Sequence, residues 1–156
     1  MTEPRILIIA YGNPLRSDDG LAWRVAEKLS EQYLTRDVEI ITCHQLTPEL
    51  ALPASQASLV LFIDAANAGI PGEIATQPIE ARQSSSIFTH EFSPSTILNV
   101  AQELYGRCPN AFAISLCGEC FDHGETLSQK VKESLPRLLT HVKGLIQSAN
   151  TALLPL

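Results

Sequence analysis

Three short apolar runs constrain this chain most: "RILIIAY" (5–11), "SLVLFIDA" (58–65) and "NAFAISLC" (110–117). Each is apolar at consecutive positions, too short for a packed helix and bounded by turn residues, which suits a strand buried on both faces. Helical periodicity fills the intervals. Leu21, Val25, Leu29 and Tyr33 recur four apart on one face, and "DVEIITC" (37–43) then reads as a second strand. In "TPELALPA", Thr47 is placed as an N-cap with Pro48 at the first helical position. "GEIATQPI" (72–79) alternates weakly and predicts a short edge strand.

Ser93-Pro94 opens a further helix with Ile97, Leu98, Ala101 and Leu104 as its apolar stripe. Val131, Leu135, Leu138, Leu139, Val142 and Ile146 mark a last helix that Pro136 is expected to bend. The order predicts one α/β domain over residues 1–156. Its architecture is three-layer α/β/α, around a mainly parallel five-stranded twisted sheet with one antiparallel edge strand. In such sheets ligands sit beyond the carboxyl ends of the strands, where the winding direction switches. With strand one beside strand three and strand two outside it, that point lies between Asp19 and Asp64.

The turn after the first strand, "GNPLRSDDG" (12–20), stands where a phosphate loop is often found but delivers two carboxylates. It lacks both the Lys-Ser/Thr ending and the GxGxxG spacing, which disfavours a nucleotide-binding domain. One acid at a helix N-terminus satisfies orphan N–H groups, the role expected of Asp18. A second adjacent like charge needs a cation, the role expected of Asp19. Asp64 ends the most apolar stretch of the chain and would be partly desolvated there. His90, in the polar segment "SIFTHEFSPS", completes an Asp/Asp/His set suited to a divalent transition metal. His44, His123 and His141 are weaker candidates.

The net charge of −6 argues against nucleic-acid binding. No signal peptide or membrane span is read, so the protein is expected in the cytoplasm. Cys43, Cys108, Cys117 and Cys120 are expected as free thiols there, and the "CGEC" pair at 117–120 as structural.

Four blocks, "GNPLRSDDG", "LFIDAANAG", "FTHEFSP" and "GETLS", arrive in the order and spacing of a known family. In them the chain resembles the hydrogenase maturation endopeptidases, which process the large subunit of nickel–iron hydrogenases. The resemblance implies that Asp19, Asp64 and His90 are the catalytic and metal-binding residues, and that the metal is nickel supplied by the substrate. It implies removal of a C-terminal extension from the nickel-loaded precursor of a [NiFe] hydrogenase large subunit, by a monomer. Some relatives carry Glu at the Asp19 position, and some place their histidine after the Ser-Pro, where this chain has Ser95. "HQL" (His44, Gln45, Leu46) resembles the tripeptide of proteases that serve the bidirectional, NAD-linked hydrogenase, which implies a role in substrate choice. The competing reading is a non-enzymatic metal-binding or delivery protein with the same three ligands.

Overall fold

A computed structural model describes residues 5–33, 37–82 and 92–152. Five strands form one sheet in the order β2-β1-β3-β5-β4: β1 (Ile6–Tyr11), β2 (Val38–Cys43), β3 (Leu59–Ala66), β4 (Ile74–Pro78) and β5 (Asn110–Cys117). β1, β2, β3 and β5 pair in parallel, and β4 closes one edge antiparallel to β5. The edge strand is where the weak alternation put it. β1 lies between β2 and β3, so the winding switch falls between β1 and β3 as expected.

Alternation along the central strands divides the core into two layers. Ile6, Ile8 and Ala10 pack under α1 (Leu21–Gln32) and α4 (Gln129–Ala152), together with Leu21, Val25, Leu29, Val131, Leu138, Val142 and Ile146. Leu7, Ile9, Val60 and Phe62 pack on the opposite face, beneath α2 (Ala51–Ser55) and α3 (Pro94–Tyr105). The outcome is the expected α/β/α sandwich, with α4 continuing through Pro136.

Three local expectations are corrected. Thr47 occupies the cap position but its side chain makes no capping bond; a 3-10 turn (Pro48–Leu50) precedes α2. Ser93 does cap α3, accepting the Thr96 N–H at 3.2 Å. Leu104 is 67% exposed, however, and its neighbours 102–107 are exposed as well, so the buried stripe closes at Ala101. Asp18 is not a helix cap either: Gly20 precedes α1, with no side-chain cap bond, and the Asp18 carboxylate points elsewhere.

Candidate active site

The turn after β1 is bent by Gly12, at φ 144°. A Cβ there would fall on the Asp19 carbonyl oxygen, so the close return of the chain demands glycine. Residues Ser17–Gly20 then form one 3-10 turn before α1. Asp19 is half-buried, and its Oδ2 accepts the Asn13 N–H at 2.7 Å. That bond holds the carboxylate over the end of β1.

Asp18 turns inward and is fully buried. Its Oδ2 accepts the N–H groups of Glu119 (2.7 Å) and Cys120 (2.9 Å), and its carboxylate takes both the N–H (2.7 Å) and the hydroxyl (2.8 Å) of Ser128. Burial works to raise its pKa. The N–H groups of Ser128, Cys120 and Glu119 and the Ser128 hydroxyl outweigh burial and hold the carboxyl below the ordinary aspartate range. Ser128 also accepts the Val131 N–H, as the residue that caps α4. Asp18 thus ties the β1–α1 turn to the segment between β5 and α4.

Further bonds fasten the same seam: Ser17 N–H to the Gly124 carbonyl, Asp18 N–H to the Cys120 carbonyl, and Gly124 N–H to the Leu15 carbonyl. Ser17 has φ +51°, a left-handed conformation unusual for a side-chain-bearing residue, and its hydroxyl donates to the Asp122 carbonyl at 2.7 Å. The turn carrying Asp19 is therefore pinned from the far end of the chain.

Asp64 stands on β3 opposite Ser115 of β5, one residue past the last β1–β3 pair, Ala10 with Ile63, while Tyr11 at the end of β1 pairs with Cys43 of β2. Desolvation pushes its pKa up to about 6; the Tyr11 hydroxyl, hydrogen-bonded to it, pulls the other way, and the Asp19 charge adds to the rise. Tyr11 in turn is raised by its own burial and then by the Asp64 charge, so it stays a protonated donor. Asp19 and Asp64 therefore feel each other electrostatically across the β1–β3 switch. Two mutually repelling carboxylates, held among the described residues by the Asn13 N–H and the Tyr11 hydroxyl, suit a hard or borderline cation.

His90 lies outside the described residues. Among the described residues no group of three His, Cys, Asp or Glu side chains could hold a metal. Of the "HQL" tripeptide, His44 and Gln45 are exposed, and Leu46 is buried in the core layer beneath α2 and α3. Cys117 is buried and Cys120 half-buried, both free; Cys120 serves the site through its backbone N–H to Asp18. His141 bonds Thr76, and His123 is exposed.

Sequence reasoning missed two residues and misplaced one. Tyr11 reads in the sequence only as the last strand residue, whereas its hydroxyl meets Asp64 one residue past the last β1–β3 pair. Ser128, in "GETLS", shows no local sign of its two bonds to Asp18. Asp18 was given the helix-cap role that Ser128 performs for α4.

The class defined so far is a doubly wound α/β domain with two carboxylates at its switch point. No protein-family model and no curated protein matches the chain. Solved structures do. The chain resembles the hydrogenase maturating endopeptidase HybD from E. coli at 21% identity, with 93% of each chain covered and a TM-score of 0.76. It resembles the [NiFe] hydrogenase maturation protease HycI from Thermococcus kodakarensis KOD1 at 26% identity, with 92% of each covered and a TM-score of 0.74. The hydrogenase 2 maturation peptidase from Thaumarchaeota archaeon SCGC_AB-539-E09 matches at 22% identity and a TM-score of 0.69, over 91% of this chain and 97% of that one. The structural neighbours are thus hydrogenase maturation proteases, and the fold is theirs.

Proposed function

We propose that the chain is an endopeptidase of hydrogenase maturation, which removes a C-terminal extension from the nickel-loaded precursor of a [NiFe] hydrogenase large subunit. The observation that carries this reading is the pairing of Asp19 and Asp64 across the switch point of a fold shared with solved maturation proteases. Nickel enters with the substrate and supplies Lewis-acid polarisation. The chain's part is to receive it.

Asp19 is preset by the Asn13 N–H on Oδ2, and its Oδ1 is the oxygen proposed to meet the cation. Asp64 is oriented by Tyr11 and raised to about 6, so near neutral pH it is mainly carboxylate and its remaining proton is easily displaced by an arriving cation. His90 is the proposed third ligand, on the strength of the resemblance of "FTHEFSP". The exposure of His44 and Gln45 supports a contact with the precursor, and the tripeptide's resemblance supports the bidirectional, NAD-linked type of hydrogenase. No described helix is long and apolar enough to cross a membrane. The four free cysteines fit a reducing cytoplasm, the proposed setting.

The test is cleavage of a nickel-loaded precursor by the wild-type chain and by Asp19→Asn, Asp64→Asn and His90→Ala, with folding monitored in parallel. The reading expects cleavage by the wild type alone. Folded Asp19→Asn and Asp64→Asn variants that cleave normally would refute it.

A further inference from the structure

Trp23, the single tryptophan of the chain, lies on the first turn of α1. Its indole N–H donates to the Gly12 carbonyl at 2.9 Å. Its ring meets His44 edge to face, with centroids 5.5 Å apart and planes at 86°. Gly12 in turn donates its N–H to the Cys43 carbonyl at 3.1 Å, so the end of β2 that leads into His44 is tied to the turn that carries Asp19. Because the indole N–H is committed to Gly12, the ring cannot swing away without losing that bond. His44 is exposed, and its ring nitrogens have no partner among the described residues. The imidazole is therefore held by its ring while its polar atoms stay free, beside the turn that presents Asp19.

We propose that Trp23 is a specificity-positioning residue: it fixes His44 as a hydrogen-bonding contact for the protein precursor. This rests on the peptidase reading above. An oriented imidazole offers a contact only to a partner group at matching position and angle, which is how a buried or pre-set ring converts exposure into discrimination. Neither Trp23 nor His44 is one of the proposed ligands, so the contact is assigned to substrate binding and not to bond cleavage.

The experiment measures kcat and KM on nickel-loaded precursors of the bidirectional and the uptake type, for the wild type, Trp23→Leu and Trp23→Phe. Trp23→Phe keeps a smaller aromatic wall for His44 and loses the bond to Gly12 that anchors the ring. The expectation is a rise of about tenfold in KM for the preferred precursor in Trp23→Leu, with kcat within about threefold, and a smaller rise in Trp23→Phe, which keeps the ring face but not its anchor. Trp23 emission should change on adding the preferred precursor to the wild type, and change much less in His44→Ala. An unchanged KM in Trp23→Leu would overturn the proposal. So would an equal fall of kcat in both Trp23 variants, which would reduce Trp23 to support of the Gly12 turn, or an emission change that persists in His44→Ala. A wild-type chain that cleaves neither precursor would instead overturn the peptidase reading, and this proposal with it.

Discussion

Asp18 and Ser128 stand 110 positions apart in the chain and meet through two hydrogen bonds, the Ser128 N–H at 2.7 Å and its hydroxyl at 2.8 Å from the Asp18 carboxylate. The same serine accepts the Val131 N–H to start α4. One buried carboxylate thus organises a helix N-terminus and the turn that presents Asp19. A carboxylate suits this position because every group facing it is a donor.

Asp18→Asn should therefore be more damaging than a helix-cap exchange would be. The amide would turn its own N–H donors toward at least one of the four donors now bonded to the carboxylate. A loss of roughly 2–4 kcal/mol in unfolding free energy is expected, read by urea denaturation. A loss below about 0.5 kcal/mol would show that the clamp is not structural.

Ser128→Ala removes both the cap of α4 and one donor to Asp18. It should cost about 1–2 kcal/mol, and a double-mutant cycle with Asp18→Asn should give a coupling near 1 kcal/mol, since the two residues share one network. Strict additivity would separate the cap from the clamp.

Stability should respond to pH with opposite signs at the two acids. Asp18 has a depressed folded pKa, so its stabilisation is present above about pH 4 and lost as pH falls through the lower folded value. Asp64 has a folded pKa raised to about 6, so burying it costs nothing while it is protonated in both states and costs progressively more as pH rises from about 4 through 6. Asp64→Asn should accordingly match the metal-free wild type at pH 4 and exceed it by about 1–3 kcal/mol at pH 7.5. Thermal unfolding of the two chains across this range checks it, and a constant difference would remove the buried-acid argument.

Tyr11→Phe deletes the one hydroxyl that favours ionised Asp64. The Asp64 carboxyl should then titrate at higher pH, as followed by carboxyl-carbon NMR, and Ni2+ binding to the isolated chain should weaken. Unaltered titration would remove Tyr11 from the site.

Replacing Cys117 and Cys120 together by Ser should leave processing largely intact, because the proposed ligands are oxygen and nitrogen and Cys120 contributes a backbone N–H. Loss of cleavage in a normally folded double variant would bring a thiol into the chemistry.

Much of this architecture was readable in the chain. The unbroken apolar runs identify strands buried on both faces, and Asp64 at the end of the most apolar run marks the carboxyl edge. What escaped depended on long-range closure. Nothing local to "RSDDG" tells that Asp18 will find its donors at Glu119, Cys120 and Ser128, so the generic helix-end role was assigned to it. Tyr11 needed inter-strand register, which apolar pattern alone does not supply. Thr47 is the right residue type at the cap position, but residue type does not tell whether its hydroxyl makes the bond, and here it does not. The proposed ligand His90 falls outside the described residues, and its role rests on its motif.

The most direct measurement of the central claim is intact mass of a [NiFe] hydrogenase large-subunit precursor after incubation with the purified chain, run in parallel on nickel-loaded and nickel-free precursor. The account predicts loss of a C-terminal fragment from the nickel-loaded form only, with no loss when Asp19→Asn replaces the wild type. Equal cleavage of both forms, or none of the loaded form, would contradict it.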